Sequence, residues 1–214
     1  MYIRDIMTTN VVTIPSTTSL AEAKRIMDAH HIRRLPVVDR GELVGLVSDH
    51  LINMATPHKG TTLSVWEFSY QLHAIKVSEI MEKSVVAVSP DITAEEALAT
   101  AQEKKVGSLI VEDDCKHVVG IVTTNDFFYK IVNPVLGLGE PGTRIEIAGG
   151  GESKALEDIL SIINGMNFQM SNLHIISLPN AKQKDVVIHL AATDVAPLLD
   201  KLKAKNYQVG IRQR

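Results

Sequence analysis

The 214-residue sequence holds a single cysteine, Cys115, which excludes an internal disulfide framework and fits a reducing compartment. Its setting, EDDCKH, places the thiol among acids rather than cations, so it reads as a turn residue rather than a nucleophile. No apolar stretch approaches the roughly 20 residues of a membrane span. The N-terminal MYIRDIMTTN lacks a positive segment ahead of an apolar core, so a cytoplasmic protein without membrane contact is expected. Neither sign of charge dominates, with 22 basic against 25 acidic residues and a net charge of −3. A field that would draw in nucleic acid is therefore absent, and any partner is selected locally. Enzyme motifs are missing as well. There is no HExxH, no cysteine pair, no GxSxG elbow, and no His-plus-carboxylate spacing suited to a metal. GLGEPG and AGGGES lack the Walker and GxGxxG contexts and read as linker and turn. The expectation is a non-enzyme with no catalytic residues, no metal site and no obligatory cofactor.

What the chain does have is a repeat. DIMTTNVVTIPSTTSLAEA, from Asp5, matches EIMEKSVVAVSPDITAEEA, from Glu79, at a constant offset of 74 that pairs Met7 with Met81 and Ala23 with Ala97. The offset becomes 75 at Gly45 and Gly120, because the second copy carries one extra residue near Cys115. Each copy reads as a short strand (VVTI, VVAV), a capped helix (SLAEAKRIMDAHH, TAEEALATAQEKK), two apolar strands joined by a polar turn, and a closing helix (DHLINMA, NDFFYKIV). A unit of roughly 50 residues with so little helix cannot cover both faces of its strands, so the two copies are expected to pack around a shared core and to meet in clefts at their strand ends. The chain is divided into repeat 1 (1–56), a connector (57–76) with Trp66, Phe68 and Tyr70, repeat 2 (77–133) and a Gly/Pro-rich linker (134–142). Residues 143–214 follow the order βαββαβ, expected to form a ferredoxin-like sandwich whose open sheet face is covered by a second copy of the chain in a homodimer.

GIVTTND, preceded by VVAVSP and duplicated as GLVSDHL, resembles the cystathionine-beta-synthase (CBS) domain pair, whose signature is Gly, two apolar residues, Ser or Thr, two variable residues and Asp. With the βαββαβ segment, the whole is similar to proteins of the acetoin-utilisation AcuB type, which join a CBS pair to a C-terminal ACT-like domain. The fold class implied is α+β. The resemblance implies a regulatory sensor that binds an adenosine-containing small molecule between the repeats and relays the signal to a regulated protein partner. AMP, ATP and S-adenosylmethionine are the candidate ligands. Asp126 is the expected ribose acceptor, since a carboxylate accepts both ribose hydroxyls, with Thr123, Ile121 and Asn125 beside it. The family's cross-repeat arrangement implies a base pocket of Met7, Thr8, Val12 and Ile32 from the first copy. HHIRR supplies His31, Arg33 and Arg34 for a phosphate, or else only a solvated helix end.

In GLVSDHL, Leu51 stands where Asp126 stands in the second copy, and Asp49 is expected to act as a helix cap. The two clefts are thus expected to be unequal, with Lys105, Gly107 and Ser108 on the rim of the weaker one. The turn GGGESKAL lacks the proline usual in amino-acid-binding ACT domains, which favours dimerisation over effector binding there. The alternative to a sensor is a constitutive oligomeric scaffold with non-binding clefts, for which Leu51 counts and Asp126 counts against.

Overall fold

Why two copies form one body is visible in their first turns. The computed structural model describes residues 1–55, 72–177, 179 and 182–212, and the chain divides into two compact units, Met1–Phe128 and Tyr129–Arg214. In the first unit, helix α1 (Ile3–Ile6) opens copy one, and α4 (Val77–Ile80) opens copy two. Their equivalent residues Ile3 and Val77 are both fully buried, but each in the other copy. Ile3 N–H donates to the Ile92 carbonyl and Arg4 N–H to that of Pro90, while Val77 N–H donates to Thr18 and Ser78 N–H to Ser16. Val77, Ile80 and Met81 pack into the first copy's core with Leu20, Met27, Leu35, Val37 and Ile52. The leading helices are thus exchanged, and neither copy has a complete core by itself.

The rest of each copy follows its sequence pattern. Helix α2 (Leu20–His30) starts at Ser19, whose hydroxyl accepts from Glu22 N–H, and α5 (Ala94–Lys104) starts at Thr93 with a reciprocal Thr93–Glu96 capping box. Both buried stripes are led by small or aliphatic residues, Leu20, Ala23 and Met27 in one and Ala94 and Ala97 in the other. Hairpin β1 (Arg34–Asp39)–β2 (Glu42–Ser48) in copy one matches β4 (Ser108–Glu112)–β5 (Val118–Thr123) in copy two. The closing helices are α3 (Asp49–Ala55) and α6 (Thr124–Phe127), the latter running into a π-helical turn, Phe128–Val132.

The strands expected at VVTI and VVAV are shorter than their apolar runs. The second reduces to β3 (Ala87–Val88), parallel to β4, and the first to a single bridge between Ile14 and Val37. Pro15 and Pro90 follow closely, and a proline cannot extend the ladder. Of the aromatic connector expected at 57–76, Trp66, Phe68 and Tyr70 lie outside the described residues.

In the second unit, Asn133–Val135 form a short helix α7. Strands β6 (Thr143–Ile147), β7 (Met170–Ile176), β8 (Asp185–Leu190) and β9 (Val209–Arg212) then form one antiparallel sheet in the order β7-β8-β6-β9. With α8 (Ser153–Gly165) and α9 (Ala196–Ala204) between strands, the chain order is βαββαβ. One sheet face supplies Ile145, Ile147, Val186 and Ile188 to a core closed by Ile159, Ile163, Leu198 and Leu202 of the helices. The opposite face carries Arg144 and His189. The stretch read as a linker lies over them, since Arg144 Nη1 donates to the Leu136 carbonyl at 3.1 Å and His189 Nε2 lies 3.3 Å from the Pro141 carbonyl oxygen.

Candidate functional site

The polar ends of the two hairpins stand in equivalent registers, Arg34 opposite Ser48 and Ser108 opposite Thr123. A cleft of about 680 Å³ is lined by all four. The same hydrogen bond starts the closing helix in both copies, Asp49 N–H to the Arg33 carbonyl and Thr124 N–H to the Gly107 carbonyl, so the backbone at the cleft is nearly repeated while the side chains are not. From the first copy, Arg33, Arg34, Asp49, His50 and Asn53 face the cleft; from the second, Ser84, Val85, Val86, Lys105, Val106, Gly107, Thr124 and Asn125. Arg34 reaches across, and a methyl group on Gly107 would sit 3.1 Å from its Nη2. The missing side chain is what admits the guanidinium. Arg33, Arg34 and Lys105 give the cleft three fixed cations against the carboxylates of Asp49 and Glu82.

Asp49 is further committed. Its Oδ1 accepts from Lys24 Nζ at 2.7 Å and its Oδ2 from Asn53 at 3.2 Å. The Lys24 ammonium holds the Asp49 carboxyl below the ordinary aspartate range, and Asp49, followed by Asp28, holds Lys24 above its own. The expected Asp49 cap is therefore corrected. Ser48 does the capping, its hydroxyl accepting from Leu51 N–H at 3.3 Å, and Asp49 already lies inside the helix and turns to Lys24.

Asp126 sits one turn into α6, half-buried, with Oδ2 accepting from Thr123 N–H at 2.8 Å and from Thr123 Oγ1 at 2.7 Å. Thr123 and Asn125 line the cleft, whereas Asp126 is not among the residues that line it. At the matching position Leu51 can offer no such bond.

Among the described residues, those expected to form the cross-repeat base pocket do not line this cleft. Thr8 exchanges two backbone hydrogen bonds with Ile121, and the Met7 thioether fills the space over Gly120, where a methyl would come within 2.4 Å of its Sδ. Met81 covers Gly45 in the same way at 2.5 Å, so these contacts are packing between copies. Val12 and Ile32 lie against the first copy's core. His31 ends α2 in a left-handed conformation and, with Ile32 and Arg33, borders a separate groove of about 520 Å³. Thus Arg33, Arg34, Thr123 and Asn125 come together, while Met7, Thr8, Val12, Ile32, His31 and Ile121 do not join them. Lys105, Gly107 and Ser108, expected on the rim of the weaker cleft, line this one together with Ser48 and Asp49 of the first copy. The apolar wall that sequence reasoning missed is Val85, Val86 and Val106. The signal for it was the repeat itself, since Val86 is the counterpart of Val12 at the offset of 74.

A second group of side chains converges at the opposite end of the β4–β5 hairpin. One ligand atom each from Asp113, Cys115 and His117 lies within 4.8 Å of the others. These three alternate residues fall outside the motif spacings read in the sequence.

The family model for the CBS domain matches residues 3–53 and 77–133, half of the chain and both copies. The chain belongs to the CBS-domain family. Among curated CBS relatives, inosine-5'-monophosphate dehydrogenase of Korarchaeum cryptofilum is 31% identical over 133 residues, 62% of this chain but 25% of the dehydrogenase. The chain thus spans only a quarter of that relative's length. The CBS domain-containing protein YhcV of Bacillus subtilis is 28% identical over 124 residues, 81% of its length. Of solved structures, the CBS pair of protein MJ0100 in complex with 5'-methylthioadenosine and S-adenosyl-L-methionine is 27% identical with a TM-score of 0.51, covering 62% of this chain and 97% of that one. A Vibrio cholerae protein assigned to acetoin utilization, AcuB, is 29% identical with a TM-score of 0.52, covering 66% and 98% of the two chains. Among the described residues, no helix is long and apolar enough to cross a membrane.

Proposed function

We propose that this CBS-domain protein is a non-catalytic, cytoplasmic sensor in which an adenosine-containing ligand binds the 680 Å³ cleft and alters the packing of the repeats. The observation that carries the reading is the convergence of Arg33, Arg34 and Lys105 with the hydroxyls of Thr123 and Thr124 around an opening walled by Val85, Val86 and Val106. An adenine wants apolar walls with backbone donors, and a ribose phosphate wants hydroxyls and an Arg fork. The adenosyl ligands of the MJ0100 pair support the same class of ligand. Asp126 does not line the cleft, and to accept the ribose hydroxyls in this reading its carboxylate would have to turn into the opening that the adjacent Thr123 and Asn125 line. A carboxylate has about four acceptor sites, so capping Thr123 and holding a ribose are compatible.

The repeats are assigned to 1–56 and 77–133, the connector to 57–76, the linker to 134–142, and residues 143–214 to a ferredoxin-like, ACT-like domain. The βαββαβ order and the β7-β8-β6-β9 sheet support that last assignment. This domain would hold the chain as a homodimer and pass the ligand signal to a protein partner, with partner binding altering ligand affinity in return. The likeness to AcuB supports a place in acetoin utilisation.

Calorimetric titration of the full chain with AMP, ATP and S-adenosylmethionine tests the reading. Saturable binding of at least one is expected, and silence with all three would favour the scaffold, the reading that Leu51 supports.

A further inference from the structure

The turn that closes β4–β5 is one residue longer than its counterpart in β1–β2, and the lengthened turn holds a constellation the other lacks. In copy one, Asp39 and Glu42 are joined through Arg40 and Gly41, and the Asp39 carboxylate is spent on Ser16 N–H at 2.9 Å. In copy two, the equivalent residues Asp113 and His117 are joined through three, Asp114, Cys115 and Lys116. Asp113 organises them: its N–H donates to the His117 carbonyl, and its Oδ1 accepts from Cys115 N–H at 2.9 Å and His117 N–H at 2.8 Å. Those bonds use one carboxylate oxygen. The other, Oδ2, faces His117 Nδ1 at 3.5 Å.

We infer that Asp113, Cys115 and His117 form a binding site for a borderline-soft divalent transition metal, with Zn²⁺ the best match, at the far end of the hairpin from the nucleotide cleft. Alternate residues of the loop present a carboxylate, a thiol and an imidazole to one point, and their ligand atoms already lie within 4.8 Å of one another. Tetrahedral zinc with its usual bond lengths holds ligand atoms roughly 3.3–3.8 Å apart. About an ångström of closure, within the rotamer freedom of exposed side chains, completes the geometry. The ligand set excludes the hard alternatives. A thiolate and an imidazole do not suit Ca²⁺ or Mg²⁺, which take oxygen. Three protein ligands leave the fourth position for water, and a groove of about 250 Å³ beside Asp113 gives water access. The loop's own lysine is engaged elsewhere, Lys116 Nζ lying 3.6 Å from Glu112 Oε2. On binding, the Cys115 S–H bond breaks, its proton passes to buffer, and a thiolate–metal bond forms with no change of oxidation state.

The inference is independent of what fills the cleft. Untagged full chain, reduced and stripped with a chelator, is titrated with Co²⁺ as a spectroscopic stand-in and then with Zn²⁺. The expected result is one Co²⁺ per chain, with a thiolate-to-cobalt charge-transfer band and tetrahedral d–d bands that an equivalent of Zn²⁺ abolishes. Cys115→Ser should lose the charge-transfer band, and His117→Ala should weaken binding about tenfold or more. Both variants should keep the circular dichroism and AMP response of the wild type, whatever that response is. A wild type without the charge-transfer band, or variants that bind Co²⁺ as the wild type does, would overturn the inference.

Discussion

The two copies share a backbone plan down to single hydrogen bonds, yet only the second carries a threonine–aspartate capping box at the cleft. In copy one, Ser48 caps the closing helix alone, Leu51 replaces the carboxylate, and the nearby Asp49 is bound to Lys24. In copy two, Thr123 N–H and Thr123 Oγ1 both donate to Asp126 Oδ2, and the neighbouring Thr124 and Asn125 carry no charge. Duplication thus conserved what the core needs, namely the glycine under each methionine and the exchanged helices. The polar ends were left to diverge. A symmetric scaffold with asymmetric ends can bind one ligand tightly and use the other side for structure.

The largest test of this comparison strikes the exchange itself. Ile3→Ala should cost about 2–5 kcal/mol, the usual penalty for emptying a buried aliphatic site. Hydrogen exchange should show protection lost first in β4–β5 of copy two rather than in β1–β2 of the copy that carries the change. Loss confined to copy one would break the exchanged arrangement.

Next in size is the carboxylate. Asp126→Ala should weaken nucleotide binding roughly ten- to hundredfold, the worth of a charge-assisted hydrogen-bond pair, whereas Leu51→Ala should leave it unchanged. Because Asp126 also caps α6, its loss should lower stability by about 1 kcal/mol, which thermal unfolding without ligand would register separately.

Gly107→Val should push the Arg34 guanidinium out of the cleft and reduce affinity for AMP more than for adenosine, read as the ratio of the two dissociation constants. Equal losses would mean that Arg34 touches no phosphate.

The smallest effect belongs to the Lys24–Asp49 pair, partly exposed and worth about 0.2–1 kcal/mol. Because the folded Asp49 pKa is lowered, its contribution is present above the ordinary aspartate pKa and fades as pH falls through the lowered folded value. The raised Lys24 pKa acts at the other extreme: its contribution is complete below the ordinary lysine value and is lost as pH rises through the raised one. Asp49→Asn should therefore flatten the acid end of the stability–pH curve and reduce the slope at the alkaline end, where Asp28 still holds Lys24. Thr124→Asn, at the equivalent position of copy two, should flatten neither.

Much of this was legible in the sequence because repeats, caps and apolar periods are local. The ends of α2 and α5 lie where Ser19, Thr93 and the HH and KK pairs indicated, and DHLINMA is α3. What sequence could not supply was which copy faces which. The exchange of α1 and α4 depends on packing at long range, and Met7, Thr8 and Val12 do not line the 680 Å³ cleft, where Val85 and Val86 stand. The metal constellation escaped for a different reason. Asp113, Cys115 and His117 alternate along a turn, outside the helix and CxxC spacings, and converge only because Asp113 folds the loop onto its own carboxylate.

The unequal copies meet their most direct test in the stoichiometry of AMP binding to the full chain by isothermal titration calorimetry. One tight site per chain, abolished or strongly weakened in Asp126→Ala and retained in Leu51→Ala, is the expected result. Two sites of equal affinity, or one that survives loss of the Asp126 carboxylate undiminished, would contradict it.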